Sequence, residues 1–224
     1  MACLYLMRPQ LERIHVIFAN PGKHYPELLA TVAKARALCP NWHEVRTDRD
    51  EQWSRNGLPA DVVPVDWTAA GQALSSFKPV KVQSYIACCF ENIGGPLLAK
   101  TQALGCRKII RGQRSSESRR SVAKNGDAFN GITFVHPIED WSARQVLDYL
   151  REQMGELPAH YALDHSSMDC YDCTAFADHS LDRVRYMREN HPILFFDYRD
   201  KLERLSAAIQ EPFSHYQRIR REAA

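Results

Sequence analysis

Apolar positions along the 224-residue chain fall into short runs separated by longer amphipathic stretches. The first run, residues 14–20 (IHVIFAN), is almost continuously apolar, as a strand covered on both faces requires. Pro21-Gly22 breaks it, and the pattern then predicts a helix over 26–38. Pro26 suits the first helical turn, Glu27 faces the positive end of the dipole, and Leu28, Leu29 and Val32 give the buried stripe. Strands follow over 42–46 and 61–65, then a brief helix or loop over 68–76. A helix over 96–105 is opened by Pro96 and stopped by Gly105, and strands are predicted over 106–110 and 131–135. Ser142 and Gln145 have capping-box spacing ahead of a stripe formed by Ala143, Val146, Leu147 and Leu150. Two helices, over 181–189 and 201–220, form the tail. Such alternation predicts an α/β fold with a mostly parallel sheet flanked by helices and a helical C-terminal tail. Residues 1–180 are expected to form the α/β domain and 181–224 a helical extension packed on it. Ligands of such sheets bind beyond the carboxyl ends of strands, where Asn20-Pro21-Gly22 and Arg111-Gly112-Gln113-Arg114 both fall.

Composition adds limits. Hydrophobic residues make up 45% and charged residues 25%, which is ordinary globular usage and excludes a disordered chain. No apolar run approaches the roughly 20 residues a bilayer helix needs. The opening MACLYLMRPQ lacks a basic n-region, so a cytoplasmic protein without a membrane partner is expected. With 29 Lys plus Arg against 27 Asp plus Glu, overall charge gives no argument for a nucleic-acid partner. The distribution is more telling. Between Arg107 and Lys124 seven basic residues accompany one acidic residue, a stretch suited to phosphate or sulfate or to a solvated loop.

Seven cysteines argue against a disulfide framework. Cys3, Cys39 and Cys106 stand singly in apolar surroundings, as small core residues do. The other four are paired as Cys88-Cys89 and Cys170-x-x-Cys173. Four thiolates complete a ligand set for tetrahedral zinc or a cubane iron–sulfur cluster. Adjacent cysteines diverge, which is awkward around one zinc with bonds of about 2.3 Å and easier around separate irons. A cluster, a zinc site, with one of His160, His165 or His179 as a mixed-ligand variant, and inert thiols are the three readings open at this point.

The order of motifs carries a resemblance. Paired cysteines, then a GxRxxES loop, then HPIEDWSARQVLDYL, then CxxC closely resembles the sulfonucleotide reductases, the adenylyl-sulfate and phosphoadenylyl-sulfate reductases. These lie within the adenine nucleotide alpha-hydrolase-like (PP-loop) group. FANPGKHYPE resembles the stretch after that family's nucleotide-binding strand, with Asn20-Pro21-Gly22 where the family has Asp-Thr-Gly. The likeness spans about residues 13–180. It implies the PP-loop fold, a [4Fe-4S] cluster on Cys88, Cys89, Cys170 and Cys173, and sulfur-directed oxidoreductase chemistry. It also implies a nucleotide and sulfate site of Asn20, Gly22, Arg111, Gly112, Arg114, Glu117, Ser118, Arg119 and Arg120. Within it, Arg111 and Arg114 meet the anion, Glu117 and Ser118 pin the loop, and Arg119 or Arg120 stands in for the family's third arginine. His24 and His136 are further donors, and Trp141 reads as core.

Two family features have no counterpart here. The Ser-Gly-Gly-x-Asp-Ser phosphate loop would fall upstream of Met1, and no cysteine follows Cys173 to serve as the family's C-terminal nucleophile. No catalytic residue is therefore assigned. The implied ligands are adenylyl sulfate, phosphoadenylyl sulfate or an ATP-like nucleotide, with a thiol or electron-donor protein as partner. The alternatives are a nucleotide-activating sulfurtransferase like those of DNA phosphorothioation, and a degenerate metal-binding module.

Overall fold

A computed structural model of the chain describes residues 1–75, 80–117, 123–162, 170–177 and 181–223. It is α/β, with parallel and antiparallel strand pairs flanked by helices and a helical C-terminal tail, as the alternation predicts. The chain divides into two compact units.

The first unit comprises Met1–Asn20, Pro26–Val45 and Gly95–His165. Its elements are α1 (Ala2–Leu6), β1 (Val16–Asn20), α2 (Pro26–Leu38) and β2 (Trp42–Arg46, whose last residue falls in the second unit). Strand β1 pairs with β2. The inward stripe of α2 is Leu28, Thr31, Val32 and Ala35, which keeps the predicted Leu28 and Val32, whereas Leu29 is left 47% exposed. The helix later designated α6 (Gly95–Ala103) packs on β1. Farther along, β5 (Lys108–Ile110) runs parallel to β7 (Ile132–Val135), and β6 (Ala128–Phe129) pairs with β7 antiparallel. Helix α7 (Ala143–Met154) starts with the predicted capping box: Gln145 N–H donates to Ser142 Oγ at 3.2 Å and Ser142 N–H to Gln145 Oε1 at 2.8 Å. Its apolar face closes with α1 around Ala2, Ile138 and Leu150, and Trp141 packs there edge-on to Tyr149.

The second unit comprises Pro21–Tyr25, Arg46–Gly94 and Ser166–Ala224. Here lie α3 (Arg49–Asn56), β3 (Leu58–Ala60), α4 (Ala69–Leu74), β4 (Val82–Ser84) and α5 (Tyr85–Cys89), with a π-helical turn at Phe90–Gly94. Helices α8 (Leu181–Asn190) and α9 (Pro192–Glu222) complete it. The strand expected over 61–65 forms instead at β3, parallel to β4 with Leu58 opposite Val82. Pro64 has no N–H to give a ladder, whereas 58–60 lie beside 82–84 with a buried Gln52–Gln83 amide pair beneath them. Gly57 makes this approach possible: its φ is +93°, and a Cβ there would run into the Lys81 backbone. Trp53, Leu58, Trp67, Val82 and Cys88 form the core with Leu205 and Ala208 of α9. The tail helix predicted over 201–220 begins earlier, with Pro192 in its first turn, and continues through Pro212.

Candidate functional site

The paired cysteines all belong to the second unit. Ser84 caps α5, its Oγ accepting from Ile86 N–H at 3.2 Å, and so sets Cys88 and Cys89 on one short helix. Successive helical side chains diverge by about 100°. Cys88 turns into the core, where Trp53 Nε1–H donates to its sulfur at 3.2 Å, while Cys89 is half-buried. Burial raises the Cys88 pKa despite the opposing indole N–H and the Arg49 charge. Burial likewise pushes the Cys173 thiol up to about 11. Among the described residues no set of three or more His, Cys, Asp or Glu is placed to hold a metal ion. This overturns the expected [4Fe-4S] cluster and its zinc alternative, and the iron–sulfur oxidoreductase reading falls with them. His160 belongs to the other unit, and His165 and His179 lie outside the described residues. The sequence reading failed because it counted thiols by spacing, and spacing does not reveal that Trp53 engages Cys88.

What surrounds the cysteines instead is a buried ionic network. Asp172, between Cys170 and Cys173, is fully buried and meets the Arg49 guanidinium at 2.6 Å and the Lys201 ammonium at 2.7 Å. Lys201 also bridges to Asp197 at 2.7 Å, and Tyr171 Oη–H donates to the same carboxylate at 3.1 Å. Burial would raise the Asp197 pKa, but the Lys201 ammonium and the Tyr171 hydroxyl outweigh it and lower it. Burial would lower the Lys201 pKa, and the two carboxylates raise it instead. Burial and the neighbouring Asp172 and Asp197 push the Tyr171 phenol upward.

Arg49 links this network to a cavity of about 460 Å³ lined by residues 21–23 and 46–50, the segments that follow β1 and β2 in the chain. Gly22 and Lys23 have φ of +73° and +54°, and the space beside the Gly22 Cα is open. Glycine is needed at 22 for the turn rather than for crowding. The Tyr171 N–H donates to Lys23 O at 3.1 Å and so ties this loop to the Asp172 segment. Asp48 caps α3 by accepting from Glu51 N–H at 2.9 Å, and Lys23 lies 3.7 Å from Asp50. Arg49, 2% exposed, stacks over the Trp53 ring at 4.4 Å. Its Nη2 meets Asp172 Oδ1 at 2.6 Å and the Cys170 sulfur is a further acceptor, while Nε and Nη1 have no oxygen partner. Burial would lower its pKa, but Cys170 and Asp172 hold it raised. A buried guanidinium short of acceptors beside a cavity is the arrangement that takes an oxyanion.

The basic loop belongs to the first unit and leaves β5 at its carboxyl end. Arg114 Nε–H donates to Glu117 Oε1 at 3.2 Å, a single contact rather than a fork. The loop is laid against the segment after β7 by Arg111 N–H to Val135 O at 2.9 Å and Ser115 N–H to Glu139 O at 2.7 Å. Burial lowers the Arg111 pKa, against the pull of Glu117. A Cβ on Gly112 would make ordinary contact with Cys3 and Ile138. Asn20 donates from Nδ2 to Glu44 Oε1 at 2.7 Å. Thus Asn20, Arg111, Gly112, Arg114 and Glu117 share one unit and Gly22 lies in the other. Ser118, Arg119 and Arg120 fall outside the described residues. His136 is buried, with neither ring nitrogen hydrogen-bonded and Glu139 at 3.8 Å.

Sequence reasoning missed Arg49, Asp172 and Lys201. The Asp48-x-x-Glu51 spacing signals the start of α3 and so the placement of Arg49. Asp197 and Lys201 are four apart on α9, which marks a pair but not its partner Asp172.

Residues 1–176 match the family model of the phosphoadenosine phosphosulfate reductase domain. The chain belongs to that family. Membership agrees with the adenine nucleotide alpha-hydrolase-like fold expected from the motifs. The chain is also similar in structure to phosphoadenylyl-sulfate (PAPS) reductase from Candida auris, crystallised as a phosphate complex. That likeness has 20% identity and a TM-score of 0.47, over 75% of this chain and 74% of the other. No curated protein matches the chain in sequence. Among the described residues no helix of this family member is long and apolar enough to cross a membrane.

Proposed function

We propose that the chain binds an adenine nucleotide of the adenylyl-sulfate class and takes an oxyanion of it in the cavity of residues 21–23 and 46–50. The observation that carries this reading is the Arg49 guanidinium, buried beside that cavity with Nε and Nη1 lacking an oxygen acceptor. A sulfate or phosphate oxygen supplies the missing acceptors, and Lys23 and Arg46 on the cavity wall add attraction. Membership of the phosphosulfate reductase domain family supports the nucleotide class. Within the other unit, we assign Arg111, Arg114 and the Gly112 backbone to anion contact in their own right, with Glu117 holding Arg114 in place and Asn20 fixed by Glu44.

Calorimetric titration with adenylyl sulfate tests the reading. Lys23→Ala and Arg46→Ala alter exposed side chains and leave the core intact. Each is expected to weaken binding by about 1.5–3 kcal/mol, the range for hydrogen bonds to charged groups. A chain carrying both Lys23→Ala and Arg46→Ala that binds adenylyl sulfate as tightly as the parent overturns the cavity assignment. A parent that binds no adenine nucleotide overturns the function.

A further inference from the structure

Cys170 and Cys173 stand at the two ends of one tight turn, closed by Cys173 N–H donating to Cys170 O at 3.3 Å. Such a turn keeps its first and fourth Cα atoms within about 7 Å, and a disulfide spans about 4.4–6.8 Å between Cα atoms. The turn is anchored at both ends within the second unit. His24 and Cys170 form an antiparallel bridge, and Tyr171 N–H donates to Lys23 O at 3.1 Å. Arg183 Nη2–H donates to Cys173 O at 3.2 Å, and Thr174 Oγ1–H donates to Pro59 O at 2.6 Å. Asp172, fully buried in mid-turn, is held by Arg49 and Lys201. The two thiols are thus brought together on fixed backbone, which favours their reaction with each other over reaction with a second molecule.

Their surroundings give the two sulfurs different work. The Cys170 sulfur accepts from the Arg49 guanidinium, and a cation at that range favours the thiolate, the nucleophile of thiol–disulfide exchange. Cys173 also lies within the field of Arg49, so both side chains face the same cation, but burial keeps Cys173 in its thiol form. Cys170 is half-buried and within reach of a small reagent. Cys88 approaches the same charge but is buried on α5 and held by Trp53 Nε1–H at 3.2 Å. Cys3, Cys39 and Cys106 belong to the first unit.

We propose that Cys170 and Cys173 form a reversible disulfide, with Cys170 as the attacking sulfur and a low-molecular-weight disulfide as the oxidant. The Cys170 thiolate attacks one sulfur of that disulfide, a new S–S bond forms, the old one breaks, and one thiolate leaves with the electron pair. Cys173 then gives up its proton to solvent and attacks the Cys170 sulfur, expelling the second thiolate. The two departing thiolates take up the two protons that the cysteines lose. The cysteines are oxidised by two electrons, and the small disulfide is reduced to two thiols.

Titration of the reduced full chain with mixtures of oxidised and reduced glutathione tests this, read by alkylation and peptide mass spectrometry. Trypsin leaves both cysteines on the peptide 152–183. That peptide is expected to become lighter by two hydrogens and to refuse alkylation, and excess reduced glutathione to reverse both changes. Cys173→Ser should stop at a mixed disulfide on Cys170, and Cys170→Ser should leave Cys173 reduced. Arg49→Met with Asp172→Leu should slow the first step about threefold or more, the net of a smaller thiolate fraction and a more basic sulfur. A parent in which both cysteines stay open to alkylation in excess oxidised glutathione overturns the proposal, as does a bridge from either one to Cys88. Glutathione found first on Cys173 overturns the choice of attacking sulfur, and an unslowed Arg49→Met, Asp172→Leu chain overturns the part given to Arg49.

Discussion

Replacing Asp172 by Asn removes one charge and almost no volume from the middle of the buried network. The native carboxylate is fully buried, 2.6 Å from a guanidinium whose side chain is 1% exposed and 2.7 Å from an ammonium that is 15% exposed. After the change Lys201 keeps Asp197, but Arg49 remains buried without an anion. Removing one partner of a buried pair costs about 3–5 kcal/mol. The Trp53 face at 4.4 Å meets the cation before and after the change and cancels from the difference. A loss of about 3–5 kcal/mol is therefore expected. Urea unfolding followed by tryptophan fluorescence reads it as a lower midpoint with an unchanged slope. The pair Arg49→Met with Asp172→Leu takes both charges away together and should cost less than Asp172→Asn alone, because an apolar pair leaves no orphan. A loss below about 1 kcal/mol for Asp172→Asn, the size of an ordinary surface change, refutes the claim that this carboxylate neutralises a buried cation.

The acid limb of stability reports Asp197. Its folded pKa lies below its unfolded value, so its contribution is present above the unfolded pKa and is lost as pH falls through the folded one. Lys201→Met should flatten that limb in pH-dependent unfolding, and an unchanged limb would exclude Lys201 as the cause. Gly57→Ala should destabilise by about 1–3 kcal/mol, since φ is +93° and the Lys81 backbone blocks a Cβ; an unaltered melting temperature contradicts this. Burial, with Lys100 and His15 nearby, lowers the His43 pKa, so proton titration by NMR should place its midpoint below the ordinary histidine value, and His15→Ala should move it up. A midpoint at or above the ordinary value would exclude that electrostatic pressure.

Local rules were legible where local chemistry decides the outcome. The Ser142 capping box and the Pro26 helix start both follow from residues within one turn of each other. Strand β3 was misplaced because its position is set by β4, some twenty residues away. Helix α3 was missed because RDEQWSRN has almost no apolar stripe; its cap and the buried Trp53 fix it. The cysteine reading erred for a related reason: composition supplied four thiols, while long-range packing gave Cys88 to Trp53 and Asp172 to Arg49 and Lys201. Residues 123 and 29 positions apart in sequence converge on Asp172, and no periodicity marks such a meeting.

The Nε–H of Arg49 offers the most direct measurement of the central claim, since it is buried beside the cavity and has no oxygen acceptor. In a ¹H–¹⁵N spectrum of arginine side chains, titration with adenylyl sulfate should move this resonance downfield as an oxyanion accepts its hydrogen bond. Lys23→Ala should shift the titration to higher nucleotide concentration. An Arg49 resonance that stays in place while the nucleotide saturates the protein would show that the anion binds elsewhere and would contradict the account.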